Sequence, residues 1–383
     1  MQADVVIAGA GIVGSACAYF LARGGLRVCI LDRGSIANGT SGSGEGNILL
    51  SDKLPGPEMD LAKLGRQLWE ELAGALPDDF EFEPKGGIVV AETDRQLASL
   101  EGTIEGLRAA QVAVERLSPA DLAREEPFLA RDLPGGLYFP QDAQVQPMLA
   151  CAALVKAAKS FGAVFLPQTE LLKVELDGRG AVRAALTSAG RIGTPRLINA
   201  AGPWSTELAG LVGLDLPARP RKGHIIVTEP LPLLVRHKVF EAGYADTVNS
   251  GEADLQVASV VEATRSGTIL LGSSRQLVGF DPAVDTQVLR AIARRAVRFF
   301  PVLAQVQALR AYAGFRSFTP DHLPIIGESK QVPGFFLNTG HEGAGIALGP
   351  VSARLLSQLI LDQAPVMDPF PFRPERFSAI GEN

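Results

Sequence analysis

The sequence predicts an α/β protein with a Rossmann-like nucleotide-binding domain and a second, mostly antiparallel, sheet-rich domain. Three observations carry this. The first 32 residues read as strand, glycine turn, helix, strand and acid. Glycine turns recur in the middle of the chain and near its end. The stretches between them change to short strands with hairpin signals. A chain of 383 residues is also too long for one ordinary core, so two domains are expected.

Ala3 to Ala8 reads as a buried strand running into Gly9-Ala10-Gly11-Ile12-Val13-Gly14. A helix follows to about Arg23, and the strand Arg27 to Leu31 ends in Asp32. This is a complete βαβ dinucleotide fingerprint. Gly9 permits the tight turn, Gly11 lets the backbone approach a pyrophosphate, and Gly14 lets helix and strand pack closely. The helix N-terminus offers unpaired N–H groups to the phosphates. Asp32 is placed to accept ribose hydroxyls, which favours FAD or NAD over a 2′-phosphorylated cofactor.

The Gly/Ser-rich loop from Gly34 to Gly46 leaves the cofactor side of the second strand and is expected to cover the nucleotide. A helix is predicted from about Glu58 to Ala75, with Leu61, Leu64, Leu68 and Leu72 on one face and Trp69 in the core. Short strands are predicted at 81–82, 87–92 and 136–139, around a polar helical section at 94–110. A helix is expected over 142–162, with Pro147 near its first turn. Strands follow at 163–166, 171–176 and 182–188. Arg196 to Asn199 is a strand ending in the turn Ala200-Ala201-Gly202, with a helix beyond. Further strands are expected at 221–228 and within 255–272, then a helix over 285–300. The chain closes with Tyr312 to Phe315, a turn at Thr319-Pro320-Asp321, Pro324 to Gly327, the strand 334–338, a glycine loop at 339–345 and a helix to about Leu361.

The net charge of −6 and the pI near 5.4 argue against a nucleic-acid or anionic-membrane surface. The apolar run from Val5 to Ala22 lacks a positive leading segment and carries the glycine fingerprint, so it reads as core, not as a signal peptide or membrane span. A cytoplasmic protein is expected. Cys17, Cys29 and Cys151 form no C-x-x-C pair and suit neither a zinc site nor an iron–sulfur cluster. No His/Asp/Glu spacing suggests a metal.

The order of these motifs resembles the FAD-dependent amine and amino-acid oxidoreductases of the D-amino-acid-oxidase type, which include glycine oxidase, sarcosine oxidase and D-amino-acid dehydrogenase. Gly9 to Gly14 with Asp32, Thr40-Ser41, Asn199 to Gly202, and Gly340-His341-Glu342-Gly343-Ala344-Gly345 carry the resemblance over nearly the whole chain. Asp32 departs from the family's usual Glu. The loop Ser43 to Lys53, with Pro55-Gly56-Pro57-Glu58, looks like the β subunits of heteromeric opine dehydrogenases (opine oxidases) and of D-hydroxyproline dehydrogenase. The resemblance implies a discontinuous FAD-binding domain at 1–76, 142–218 and 312–383, and a substrate domain at 77–141 and 219–311. It implies FAD, held without a covalent bond because no cysteine lies in the C-terminal motif. FMN at a subunit interface is a further option. The implied partners are an amino-acid or opine substrate, a larger α subunit and, as another candidate, an iron–sulfur subunit.

The implied reaction is oxidation of the C–N bond of a secondary-amine or imino acid by hydride transfer to flavin N5. The alternatives are a stand-alone glycine/sarcosine-type oxidase producing hydrogen peroxide, and a non-catalytic flavin-binding subunit. Such chemistry needs a carboxylate clamp and a positive end over the ring more than a nucleophile. Arg316 matches the clamp arginine of the family's Gly-Φ-Arg segment, where Φ is hydrophobic. Glu45 is a candidate partner for the substrate ammonium, Lys53 for a second carboxylate, and His322 for the substrate or ring. Cofactor contacts are expected from Gly9, Gly11, Ile12, Val13, Gly14, Asp32, Arg33, Thr40, Ser41, Glu45, Gly46 and Asn47. Others are expected from Val174, Ala200, Gly202, Trp204, Gly314 and Arg316, and from Gly340, His341, Glu342, Gly343, Gly345 and Ile346.

Overall fold

The computed structural model describes residues 1–377, apart from the side chain of Asn249. The last six positions of the predicted segment 312–383 lie outside the described residues. The first layer is a six-stranded sheet in the spatial order Ile325–Glu328, Phe335–Thr339, Leu197–Asn199, Val5–Ala8, Val28–Leu31 and Val164–Leu166. Its five inner pairings are parallel except that of Ile325–Glu328 with Phe335–Thr339. Val5–Ala8 is wholly buried, as its uninterrupted apolar run requires of a strand covered on both faces. The helices Ile12–Arg23, Pro147–Ser160, Gly345–Ile360 and Pro57–Ala75 pack together in one apolar cluster beside this sheet. Trp69 is buried there and its indole N–H donates to the Ile346 carbonyl at 3.0 Å.

The second layer is an eight-stranded sheet in the order Ala308–Phe318, Arg219–Thr228, Ile269–Arg275, Gln256–Ala263, Lys238–Glu241, Gly87–Ala91, Gly135–Phe139 and Glu115–Leu117. It is antiparallel except between Lys238–Glu241 and Gly87–Ala91. The helix Thr286–Phe299 covers it, burying Val288, Ile292, Ala296 and Phe299. The mixture of a parallel and a mostly antiparallel sheet is the fold class the sequence predicts.

Several local expectations are corrected. The helix expected from Asp142 begins at Pro147; Ala143–Gln144 instead pairs with Asn47–Ile48. Proline disfavours helical backbone in the residue before it, and Gln146 acts as the N-cap, accepting from Leu149 N. The section 94–110 is two helices, Asp94–Gly102 and Ile104–Ala109. Residues 81–82 form no strand. The strands Glu115–Leu117, Gly190–Gly193 and Lys238–Glu241 and the helix Pro119–Glu125 were not anticipated.

Candidate active site

The strands Val5–Ala8, Val28–Leu31, Leu197–Asn199 and Phe335–Thr339 end on the same side, at Gly9, Asp32, Ala200 and Gly340. Ligands in open α/β sheets lie outside these carboxyl ends. A cavity of about 420 Å³ opens there, and all four residues line it. Gly9 has φ of +114°, and a Cβ on it would come 2.5 Å from the Ala200 carbonyl oxygen, so the turn admits no side chain.

Asp32 braces this turn. One carboxylate oxygen accepts from Ala10 N at 2.8 Å and the other from Gly34 N at 2.7 Å. Each oxygen keeps a lone pair for a further donor. Ser41 Oγ accepts from Ile12 N at 3.0 Å, which ties the Gly/Ser loop to the helix start. Thr40 Oγ1 donates to the Phe315 carbonyl at 2.5 Å. Arg33 lies over the Trp204 ring at 4.6 Å.

Strand Ala308–Phe318 joins the two layers. Ser317 Oγ donates to the Gly202 carbonyl at 3.1 Å, and Glu342 N donates to the Ser317 carbonyl at 2.9 Å. Arg316 is thus set between both late glycine motifs. Its Nη1 donates to the Ser274 carbonyl at 2.9 Å, over Gly223, where any side chain would strike the guanidinium. Burial first, and then the Arg275 charge, lower Arg316 to about 10, so it is a cation at neutral pH.

Arg221 is the register partner of Arg316 on the neighbouring strand. Like charges placed opposite each other repel. One carboxylate answers them. Glu342 lies 2.9 Å from Arg221 Nη1 and 3.7 Å from Arg275 Nε. Burial raises the Glu342 carboxyl, but His322 and the charges of Arg275, Arg221 and Arg316 outweigh it and hold the group at about 2. Glu342 is the carboxylate within 4 Å of this cluster, while Glu45 acts on Arg316 and Asp52 on Arg275 from further off.

Glu45 also lines the cavity. Its Oε2 accepts from Asn47 Nδ2 at 3.0 Å, while Oε1 is buried without a hydrogen-bond partner. Asn47 Oδ1 and Asn338 Oδ1, on residues of the same wall, are likewise without one. The glycine cradle and these free acceptors suit a polar ligand that brings its own donors, as FAD and an ammonium do. His341 is buried, with Nε2 2.8 Å from Ser352 Oγ; burial lowers it to about 3, so the ring is neutral.

Most expected site residues meet in this one cavity. Gly11, Ile12, Val13, Arg33, Thr40, Ser41, Gly202, Trp204, Gly314, Gly343, Gly345 and Ile346 line it with those already described. Five do not. Gly14 packs against Gly9, where a Cβ would collide with the carbonyl. Gly46 donates its N–H to the Glu262 carboxylate. Val174 sits in the apolar core, and the wall there is Thr169, Glu170 and Leu171. His322 stands behind Glu342, 3.9 Å from its carboxylate. Lys53 is buried, 2.7 Å from Asp52 and 3.6 Å from Glu58. Arg221, Arg275, Tyr244 and Asn338 were missed. The basic run Arg219 to His224 held a trace of Arg221; the others have no local motif.

No group of three or more His, Cys, Asp or Glu among the described residues is placed to hold a metal, and none of the described helices is long and apolar enough to cross a membrane. The three cysteines are buried free thiols.

Comparison with known proteins agrees with this geometry. The family model "DAO: FAD dependent oxidoreductase" matches residues 4–359. The hydrogen cyanide synthase subunit HcnC of Pseudomonas aeruginosa is 30% identical over 415 residues, covering 98% of this chain and 96% of that one. Glycine oxidase of Geobacillus kaustophilus is 29% identical, covering 96% of each. The crystal structure of that enzyme superposes with a TM-score of 0.88 at 27% identity, over 98% of this chain and 99% of the other. The chain belongs to the DAO family of FAD-dependent oxidoreductases: it is an enzyme of that class, with FAD as its cofactor.

Proposed function

We propose that this chain oxidises the C–N bond of a secondary-amine or imino acid, of the opine or D-hydroxyproline type, as the catalytic β subunit of a heteromeric dehydrogenase. The observation that carries the reading is Arg316. It is a half-buried cation on the wall of the cavity that forms no salt bridge of its own among the described residues, Glu342 and Glu45 acting on it from beyond pairing distance. A substrate carboxylate supplies the missing negative charge, and the planar guanidinium suits two-point contact with it.

Bound FAD would accept a hydride, which carries both electrons, from the carbon that bears the amine. The chain's residues prepare that carbon. Arg316 fixes the carboxylate end. Glu45 Oε1 accepts a hydrogen bond from the substrate nitrogen, whose free-base form has given its extra proton to solvent. The turn at Gly9, with Asp32, Thr40 and Ser41, holds the nucleotide, and the Gly340–Gly345 loop sets the start of the last helix at the ring. A helix N-terminus favours added negative charge there by about 0.3–2 kcal/mol. Residues 1–76, 142–218 and 312–383 serve as the FAD unit and 77–141 and 219–311 as the substrate unit, with strand Ala308–Phe318 spanning the join.

Assembly with a larger α subunit rests on the Glu45–Lys53 loop, and the name of one curated relative, a synthase subunit, supports it. Electrons then leave through an interface FMN or an iron–sulfur partner, and the complex resides in the cytoplasm. The glycine oxidase relatives favour a second reading, a stand-alone oxidase producing peroxide. Anaerobic bleaching of the flavin by secondary-amine acids tests catalysis and excludes a flavin-binding scaffold. Comparing oxygen uptake with dye reduction, for the chain alone and with its operon neighbours, tests assembly. Rapid stoichiometric peroxide from the isolated chain would favour the oxidase.

A further inference from the structure

A second cavity, of about 250 Å³, lies beside the first, and Tyr244 lines both. We infer that it receives an apolar substituent carried on the substrate's amine, so that the enzyme selects N-substituted amino acids with a bulky hydrocarbon arm. The inference rests on the secondary-amine oxidation reading above and departs from its opine and D-hydroxyproline types: the arm on nitrogen is hydrocarbon and carries no second carboxylate.

Tyr244 stands between the two spaces. Arg275 of the arginine cluster lies 4.8 Å over its ring, and Phe240 packs against it at 5.2 Å. Beyond Tyr244 the wall is built largely from Val89, Leu100, Leu107, Leu137 and Phe139. A cavity of about 150 Å³ lined by such side chains is enough for a benzene ring. The second cavity is larger than that.

Its charges exclude the obvious alternative, a second carboxylate. Lys53, on this wall, is a cation but already has Asp52 at 2.7 Å and Glu58 at 3.6 Å. Burial lowers its pKa, and the charges of Asp52 and Glu58 more than restore it. Glu241 is paired with Arg295. No cation is left over for a second carboxylate, and the largely apolar wall suits hydrocarbon. A substrate held by Arg316 at its carboxylate and by Glu45 at its nitrogen would pass its N-substituent beside Tyr244.

Gly106 supplies the test. It lines the cavity from the helix Ile104–Ala109, and a Cβ on it would meet nothing within 4 Å. Gly106 is exposed at the edge of the space and a Cβ on it starts unobstructed, so Gly106→Leu and Gly106→Phe are the variants chosen to fill the mouth of the cavity, and either residue is a better helix former than glycine. The FAD-loaded protein is given N-benzylglycine and sarcosine, which share the carboxylate and secondary amine and differ in the arm. We expect kcat/KM at least tenfold higher for N-benzylglycine, and that ratio at least tenfold lower in Gly106→Phe, with Gly106→Leu between. If both compounds reduce the flavin but the ratio is below tenfold or survives the plug, the second cavity loses its role while amine oxidation stands. If neither reduces the flavin, the amine-oxidation reading falls. Perturbation of the flavin spectrum then decides the cavity: tighter binding of N-benzylglycine, lost in Gly106→Phe, upholds it, and equal binding overturns it.

Discussion

The hydroxyl of Thr40 donates to the backbone carbonyl of Phe315, 275 positions further along the chain, at 2.5 Å. This bond fastens the cofactor-side loop to the strand that carries Arg316. Ser43 packs on Gly314 one step away, leaving no room for a side chain there. The nucleotide-side loop and the backbone that positions Arg316 are thereby linked.

Thr40→Val keeps the shape and removes the donor. One hydrogen bond contributes about 1 kcal/mol. FAD should bind the apoprotein about fivefold more weakly, as read by fluorescence titration. Unchanged FAD affinity would show that the loop is held by its backbone alone.

Arg316→Ala should cost about 10- to 150-fold in kcat/KM, the range for a lost charged hydrogen bond, with FAD occupancy near normal. Arg316→Lys should recover only part of it, because a lysine cannot make the planar two-point contact. Steady-state kinetics with the flavin absorbance ratio recorded beside it decides the matter. Wild-type kcat/KM in Arg316→Ala would remove the residue from the site.

His341 stays neutral in the folded protein down to about pH 3, because it is buried, whereas its ordinary value is 6.5. The unfolded state therefore takes up the proton first. The stability linked to this residue is complete above pH 6.5 and is lost as the pH falls from 6.5 towards 3. His341→Asn should flatten the fall of Tm across that window. A slope identical to wild type would mean that other groups govern acid unfolding.

Lys53 is expected to act on stability more than on turnover. Lys53→Met leaves the partly buried Asp52 without its partner; breaking a fully buried pair costs about 3–5 kcal/mol, which sets the upper end of the loss. Urea denaturation should report it, and adding Asp52→Asn should restore part of the loss. A large rise in KM with unchanged stability would return Lys53 to the list of substrate ligands.

Residues 1–32 could be read almost to the residue. A buried strand, a glycine turn, a helix and an acid are local features, and each is set by the backbone geometry its own residues allow. The same holds for Ala200 to Gly202 and Gly340 to Gly345, so the cofactor side of the site was legible, as was Arg316 by its place after Gly314. The helix start at Pro147 was written in the proline itself, yet was assigned five residues early because Ala143–Gln144 pairs with Asn47–Ile48, a distant partner. Lys238–Glu241 is four residues long, and its buried Lys238 meets its partner Glu262 from another strand. Such a strand has no amphipathic pattern to read. Lys53 looked like a free loop charge until Asp52 and Glu58 were brought to it, and Val174 and Leu171 have the same local chemistry until the cavity chooses between them. Thus the sequence by itself determined the cofactor fold and the place of Arg316 beside it, because these depend on turns and short motifs. Only the tertiary structure decided which charges remain unpaired, since pairing is a matter of distance between segments far apart in the chain. It set Arg316 opposite Arg221 with Glu342 between them, cancelled Lys53, and left Glu45 Oε1 free.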